Sequence, residues 1–108
     1  MPTTPLSISL PTNHEQRKRL LDVPETQNMH AGYVNLQPGE AVDEHSTGES
    51  EEMLIPLAGC GELQVPGLDP LSIAPGRVLY NPPHTRHAVV NTGSEPLIYI
   101  YVVAGAGT

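Results

Sequence analysis

The stretch PGRVLYNPPHTRHAVVN, residues 75–91, decides how the rest of the chain is read. It holds two short runs of strand-forming residues, RVLYN and HAVVN, separated by Pro82 and Pro83. Proline has no amide hydrogen to give to a ladder, so the pair marks a turn rather than the interior of an element. Side chains two apart on a strand share a face, so His87 at the start of the second run looks the same way as Val89 and Asn91.

The same pattern extends in both directions. MHAGYVNL (29–36) runs out at Pro38–Gly39, EMLIPLAG (52–59) at its own glycine, CGELQV (60–65) at Pro66–Gly67 and LSIA (71–74) at Pro75–Gly76. LIYIYVV (97–103) closes the series. Short runs divided by turn residues about every ten positions predict an antiparallel sandwich or barrel. Pro56 inside one of these runs predicts a sheet edge or a bulge there.

With 108 residues the chain is expected to form one domain. Twelve prolines, ten glycines and no Phe or Trp suit short strands and fit long helices badly. Upstream of the strand series lies an N-terminal arm, residues 1–27, with the barrel expected over 28–108. Within the arm, LSISL (6–10) alternates like a short strand and has no neighbour in sequence to pair with. NHEQRKRLLD (13–22) predicts the chain's one short helix, with Asn13 as N-cap, Gln16 in the capping-box position and Pro24 ending it.

Composition narrows the partners. The formal charge is −7, and the basic residues form no stripe beyond Arg17, Lys18 and Arg19. Nucleic acid and anionic membrane surfaces are therefore not expected as partners. Cys60 is the single cysteine, which rules out an internal disulfide and suits a reducing compartment. The first residues lack a basic start followed by an apolar core, and the longest apolar run is LIYIYVVA, residues 97–104. Neither a secretory leader nor a membrane span is expected, and a cytoplasmic location follows as the expectation.

The second informative stretch is EHSTGESEEM, residues 44–53. A tight turn around Thr47–Gly48 would return the chain so that Glu51 or Glu52 starts a strand beside His45. If Glu52 points inward, so do Leu54 and Pro56, while Met53, Ile55 and Leu57 face away. Tyr33 and Tyr80 are candidates for a cavity wall by the same parity.

Together these stretches resemble the cupin superfamily. The first motif of that family, G-x5-H-x-H-x3,4-E-x6-G, is met by Gly39, His45, Glu52 and Gly59, with Thr47 where a second histidine would stand. The second motif, G-x5-P-x-G-x2-H-x3-N, is met by Gly76, Pro82, His87 and Asn91, with His84 in place of a glycine. The resemblance implies an all-β fold: a small antiparallel jelly-roll barrel with a short N-terminal arm and at most one short helix. It also implies a divalent metal ion (iron, manganese, nickel or zinc) on His45, Glu52 and His87. Two imidazoles and one carboxylate with open positions match the facial-triad pattern associated with non-haem iron(II). His84 is either a further ligand or a solvent-facing loop residue. A homodimer is implied as well, in which the LSISL arm is lent to the partner.

Two functions follow as expectations. One is a metal-dependent enzyme, of dioxygenase or isomerase type, acting on a small oxygen-rich metabolite. The other is a non-catalytic module whose barrel holds a small-molecule ligand. Fold alone does not choose between them.

Overall fold

The computed structural model of the protein describes residues 3–12 and 16–105. Nine strands account for its regular structure: β1 (Arg17–Leu21), β2 (Met29–Leu36), β3 (Ala41–Ser46), β4 (Glu51–Ala58), β5 (Gly61–Gln64), β6 (Leu71–Ile73), β7 (Leu79–Asn81), β8 (Arg86–Val90) and β9 (Leu97–Ala104). They form a five-stranded sheet in the order β1-β2-β9-β4-β7 and a four-stranded sheet in the order β3-β8-β5-β6. Every pairing between them is antiparallel. The architecture is the expected all-β jelly roll.

The expected helix over 13–22 is corrected. Residues 13–15 lie outside the described residues, and Arg17–Leu21 is a strand that pairs with β2, from Arg17 opposite Val34 to Leu21 opposite Ala31. A capping-box pattern contributes only a fraction of a kilocalorie per residue to a short helix. Pairing with an open sheet edge fills a row of backbone hydrogen bonds that the helix would leave unused. Leu6–Leu10 forms no ladder within this chain. Its Leu6, Ile8 and Leu10 remain partly exposed and border a groove with Leu20, Leu21, Ala31, Ile100 and Val102.

The core lies between the sheets and is built from Val34, Leu36, Leu54, Leu63, Ile73, Leu79, Val89, Leu97 and Tyr99. Strand parity follows the expectation at β4, where Leu54 and Pro56 are buried while Met53 and Leu57 are exposed. Pro56 meets both of its expected conditions. The β4–β7 ladder covers only Glu52 to Leu54, so Pro56 lies past the end of its neighbour, and the β4–β9 register shifts between Pro56 and Ala58.

The two motif ends are structural pins. Gly59 has φ +79°, and a Cβ there would come within 2.2 Å of the Pro96 carbonyl oxygen, so only glycine allows this close approach. Asn91 is buried and donates to the carbonyls of Leu36 (2.9 Å) and Glu95 (2.8 Å), while its Oδ1 accepts the Gly93 amide (2.9 Å). One side chain thus ties the end of β2 to the turn between β8 and β9.

Candidate functional site

The pairing of β3 with β8 places His45 directly opposite His87. Their rings lie 4.4 Å apart between centroids, tilted by 58°. Glu52, opening β4 on the facing sheet, reaches across to His87, with Nε2 to Oε1 at 3.1 Å. Three expected site residues from three strands therefore line the same cavity. His45 sits at the exposed mouth, Glu52 is half-buried and His87 is 1% exposed.

Each imidazole is oriented through its Nδ1–H, which donates to a backbone carbonyl two residues earlier. His45 uses the Asp43 carbonyl (2.8 Å) and His87 the Thr85 carbonyl (3.1 Å). That leaves Nε2 of both rings aimed away from their own strand. The same oxygen of Glu52 is held by Asn81, whose amide donates to Oε1 at 3.0 Å. Asn81 is buried on β7 and pairs with Glu52 across the ladder. Sequence reading missed it, although the alternation of buried Leu79, exposed Tyr80 and buried Asn81 carries the signal.

His87 faces an acceptor on each ring nitrogen, the Thr85 carbonyl and the Glu52 carboxylate. A neutral imidazole would set a bare lone pair against the carboxylate, so Nε2 carries either a proton or a cation. Burial disfavours the charged ring and is the largest single influence on it. The bonds to Glu52 and Thr85 and the Glu52 charge outweigh burial together, and the pKa of His87 is raised above its ordinary value.

The donor set fits a divalent ion in kind. Two Nε2 atoms backed by Nδ1–H···O=C bonds, with a carboxylate secured by an amide, is the outer-shell arrangement that orients metal ligands. Convergence is less complete: among the described residues, no three His, Cys, Asp or Glu side chains come together as a ready metal cage.

Thr47 does not leave a gap where the family's second histidine would stand. Its hydroxyl donates to the Pro82 carbonyl (2.8 Å) and accepts the Thr85 amide (3.2 Å), and its own amide donates to the Thr85 carbonyl (3.3 Å). The residue clasps the turn between β3 and β4 to the turn between β7 and β8. His84 lies in the second of these turns at φ 56°, with its amide donating to the Gly48 carbonyl (2.6 Å). Its side chain is exposed and does not line the cavity.

Behind the mouth lies a cavity of about 370 Å³, a volume suited to a small metabolite. Its polar end is formed by His45, Ser46, Thr47, Ser50, Glu52 and His87, and its floor by Val34, Val42, Leu54, Val89 and Tyr99. Arg17, His30, Tyr101 and Val103 complete the wall, and none of the four was singled out for it by the sequence. Tyr101 lies flat across Gly32, where a Cβ would meet its ring at 2.4 Å, and His30 meets the edge of the same ring. Tyr33 and Tyr80, expected at the wall, are elsewhere. Tyr33 pairs with Ile100 on the opposite face of its sheet, and Tyr80 is 55% exposed with its hydroxyl on Glu51 (2.8 Å).

Residues 32–107 match the family described as "Cupin domain". The chain is a cupin. Among solved structures, it resembles an RmlC-like cupin of double-stranded β-helix fold from Methanocaldococcus jannaschii, with a TM-score of 0.79, 19% identity and coverage of 97% of this chain and 94% of that one. A Cupin 2 conserved barrel domain protein from Salinispora arenicola gives a TM-score of 0.72 at 30% identity, covering 98% and 90%. Among characterised sequences, a glucose-6-phosphate isomerase from Pyrococcus abyssi is 37% identical over 62 residues. That match takes in 54% of this chain but only 33% of the isomerase.

Two outcomes follow from this geometry. Thr47→Val should lower stability by about 1–2 kcal/mol in urea denaturation by stranding the Thr85 amide, while Thr47→Ser should keep most of it. In metal-free protein, the His87–Glu52 pair should contribute fully below pH 6.5, the unfolded value for His87. Its contribution should be lost as pH rises through the higher folded value, because the folded state binds the proton more tightly. Denaturation between pH 5.5 and 8.5 should show this fall, and Glu52→Gln should flatten it.

Proposed function

We propose that this cupin is a metal-dependent enzyme on a small oxygen-rich metabolite, with His45, Glu52 and His87 holding one divalent ion. The observation that supports the reading is the doubly accepting environment of His87, in which a divalent ion can take the place of the Nε2 proton beside the Glu52 carboxylate. The ion would polarise a bound oxygen of the substrate and leave positions open for it. The chain's own residues bind and orient. Asn81 keeps Glu52 turned toward His87, the Asp43 and Thr85 carbonyls fix the imidazole tautomers, and the apolar floor excludes water. Glu52, within 3.1 Å of His87, is the group placed to take or return a proton near the substrate. The partial likeness to glucose-6-phosphate isomerase supports an isomerase-type reaction over an oxidative one.

The second reading, a binding module without catalysis, is favoured by one feature. Glu52 and His87 already satisfy each other as an ion pair, and no third ligand among the described residues closes on them. Under that reading, the cavity holds its ligand through the same walls.

The assembly we propose is a homodimer. Leu6, Ile8 and Leu10 form no ladder within the chain, and Met53 and Leu57 are exposed on the outer face of the five-stranded sheet. A second copy would cover this apolar surface.

Protein purified without added metal should carry one iron, manganese, nickel or zinc ion, or should gain thermal stability when one is supplied. His87→Ala should abolish that gain. Absence of both metal and gain in the wild-type chain would leave the binding-module reading. Sedimentation at micromolar concentration should give twice 11.6 kDa, and truncation of residues 1–12 should shift the chain toward monomer.

A further inference from the structure

The cavity has a second polar feature at its other end. Arg17 on β1 stands opposite Val34, and Val34 stands opposite Tyr99 on β9. Residues directly opposite one another across antiparallel strands share a face. Val34 and Tyr99 are 2% and 3% exposed, so this row points inward, and Arg17 lines the cavity from the sheet edge. Arg19 is taken by Asp22 and Arg86 by Glu44. Among the described residues, Arg17 has no carboxylate in ion-pair reach.

Among the described residues, the one carboxylate in the cavity wall is Glu52, and it is committed to His87 and Asn81. It also sits in a different row, the one that runs from His30 through Val103. Four residues along β2 separate that row from the row of Arg17, a span of about 13 Å at 3.3 Å per residue. The cavity therefore has two ends of unlike chemistry, a carboxylate–imidazole pair at one and a guanidinium at the other that no described carboxylate pairs. Between them stands Tyr99. Burial and the Glu52 charge hold its phenol protonated while the Arg17 charge acts in the opposite sense, so it remains a hydrogen-bond donor facing the same space.

We propose that the cavity receives a small organic anion, with its carboxylate or phosphate on Arg17 and its hydroxylated remainder toward Glu52 and His87. The guanidinium presents a planar fork of N–H donors that matches either oxyanion. A chain of net charge −7 does not gather anions by its overall field, so their binding has to come from a local cation of this kind. Arg17 precedes residue 32, where the match to the family begins, so this contact comes from outside the matched stretch. The proposal rests on the cavity being a ligand site, as proposed above, and needs no metal.

The test is an NMR titration of the full chain, stripped with chelator, against four probes. They are 3-hydroxybutyrate, its neutral amide, glycerol 3-phosphate and glycerol. At least one anion should bind, shifting Tyr99 and His87 resonances, at least about tenfold more tightly than its neutral counterpart. The tighter of the two anions identifies the group as carboxylate or phosphate. Arg17→Met keeps the aliphatic stem and should weaken the anion about tenfold or more without changing the neutral probe. Arg19→Met should leave both unchanged. Equal affinity for anion and neutral probe, undiminished binding by Arg17→Met, or no binding of either anion would overturn the proposal. Because the protein is metal-free throughout, failure of the metal assignment leaves this outcome intact, and failure here leaves the metal assignment standing.

Discussion

Everything at the barrel mouth depends on which face of β4 is buried. Side chains alternate strictly along a strand, and the burial of Leu54 and Pro56 forces Glu52 onto the same face. A slip of one residue would turn Met53 and Leu57 into the core and carry Glu52 to the outer face, away from His87. Apolar burial at two positions thus sets the position of a charge at a third. The same logic holds on β8, where buried Val89, and Asn91 just past the strand's end, keep His87 inward. Neither catalytic geometry nor ligand contact is needed to place the pair. The core places it.

Such placement is costly unless the buried polar atoms are all satisfied. Among the described residues no buried side-chain nitrogen or oxygen lacks a hydrogen-bond partner. Asn81, Glu52, His87 and the Thr85 carbonyl form one chain of contacts, and removing any member strands a neighbour in low dielectric. The turns that carry this chain are clasped by Thr47, which ties Pro82 and Thr85 to the loop after β3. A hydroxyl does here what an imidazole could not do without moving one of the turns, since it bonds both the Pro82 carbonyl and the Thr85 amide at close range.

Legibility in the sequence followed the range of the forces involved. The strands from β2 onward and the unusual setting of Pro56 could be read because turn residues and period-two alternation are local signals, whereas the grouping of His45, Glu52 and His87 came from the resemblance of their motifs to the cupin family. The fate of Arg17–Leu21 could not. Its capping-box pattern is local, but the open edge of β2 that recruits it lies a dozen residues away and is created only by folding. Thr47 as a clasp, Asn81 as the support of Glu52, and Tyr101 lying over Gly32 are likewise long-range contacts. For Tyr80 and Tyr33 parity was the right tool, but it needed a buried neighbour to fix its sign.

The wall of the cavity draws on two parts of the chain that can vary separately. His45, Glu52 and His87 come from β3, β4 and β8, inside the stretch shared with the family. Arg17 and His30 come from before it, on β1 and at the start of β2. A strand at the sheet edge is held by one neighbour only, so its inward side chains can change without repacking the core. Arg17 therefore sits where substitution costs least, while the polar pair sits where the core allows the fewest alternatives. That division lets the wall beside Arg17 change while the core keeps the Glu52–His87 pair in place.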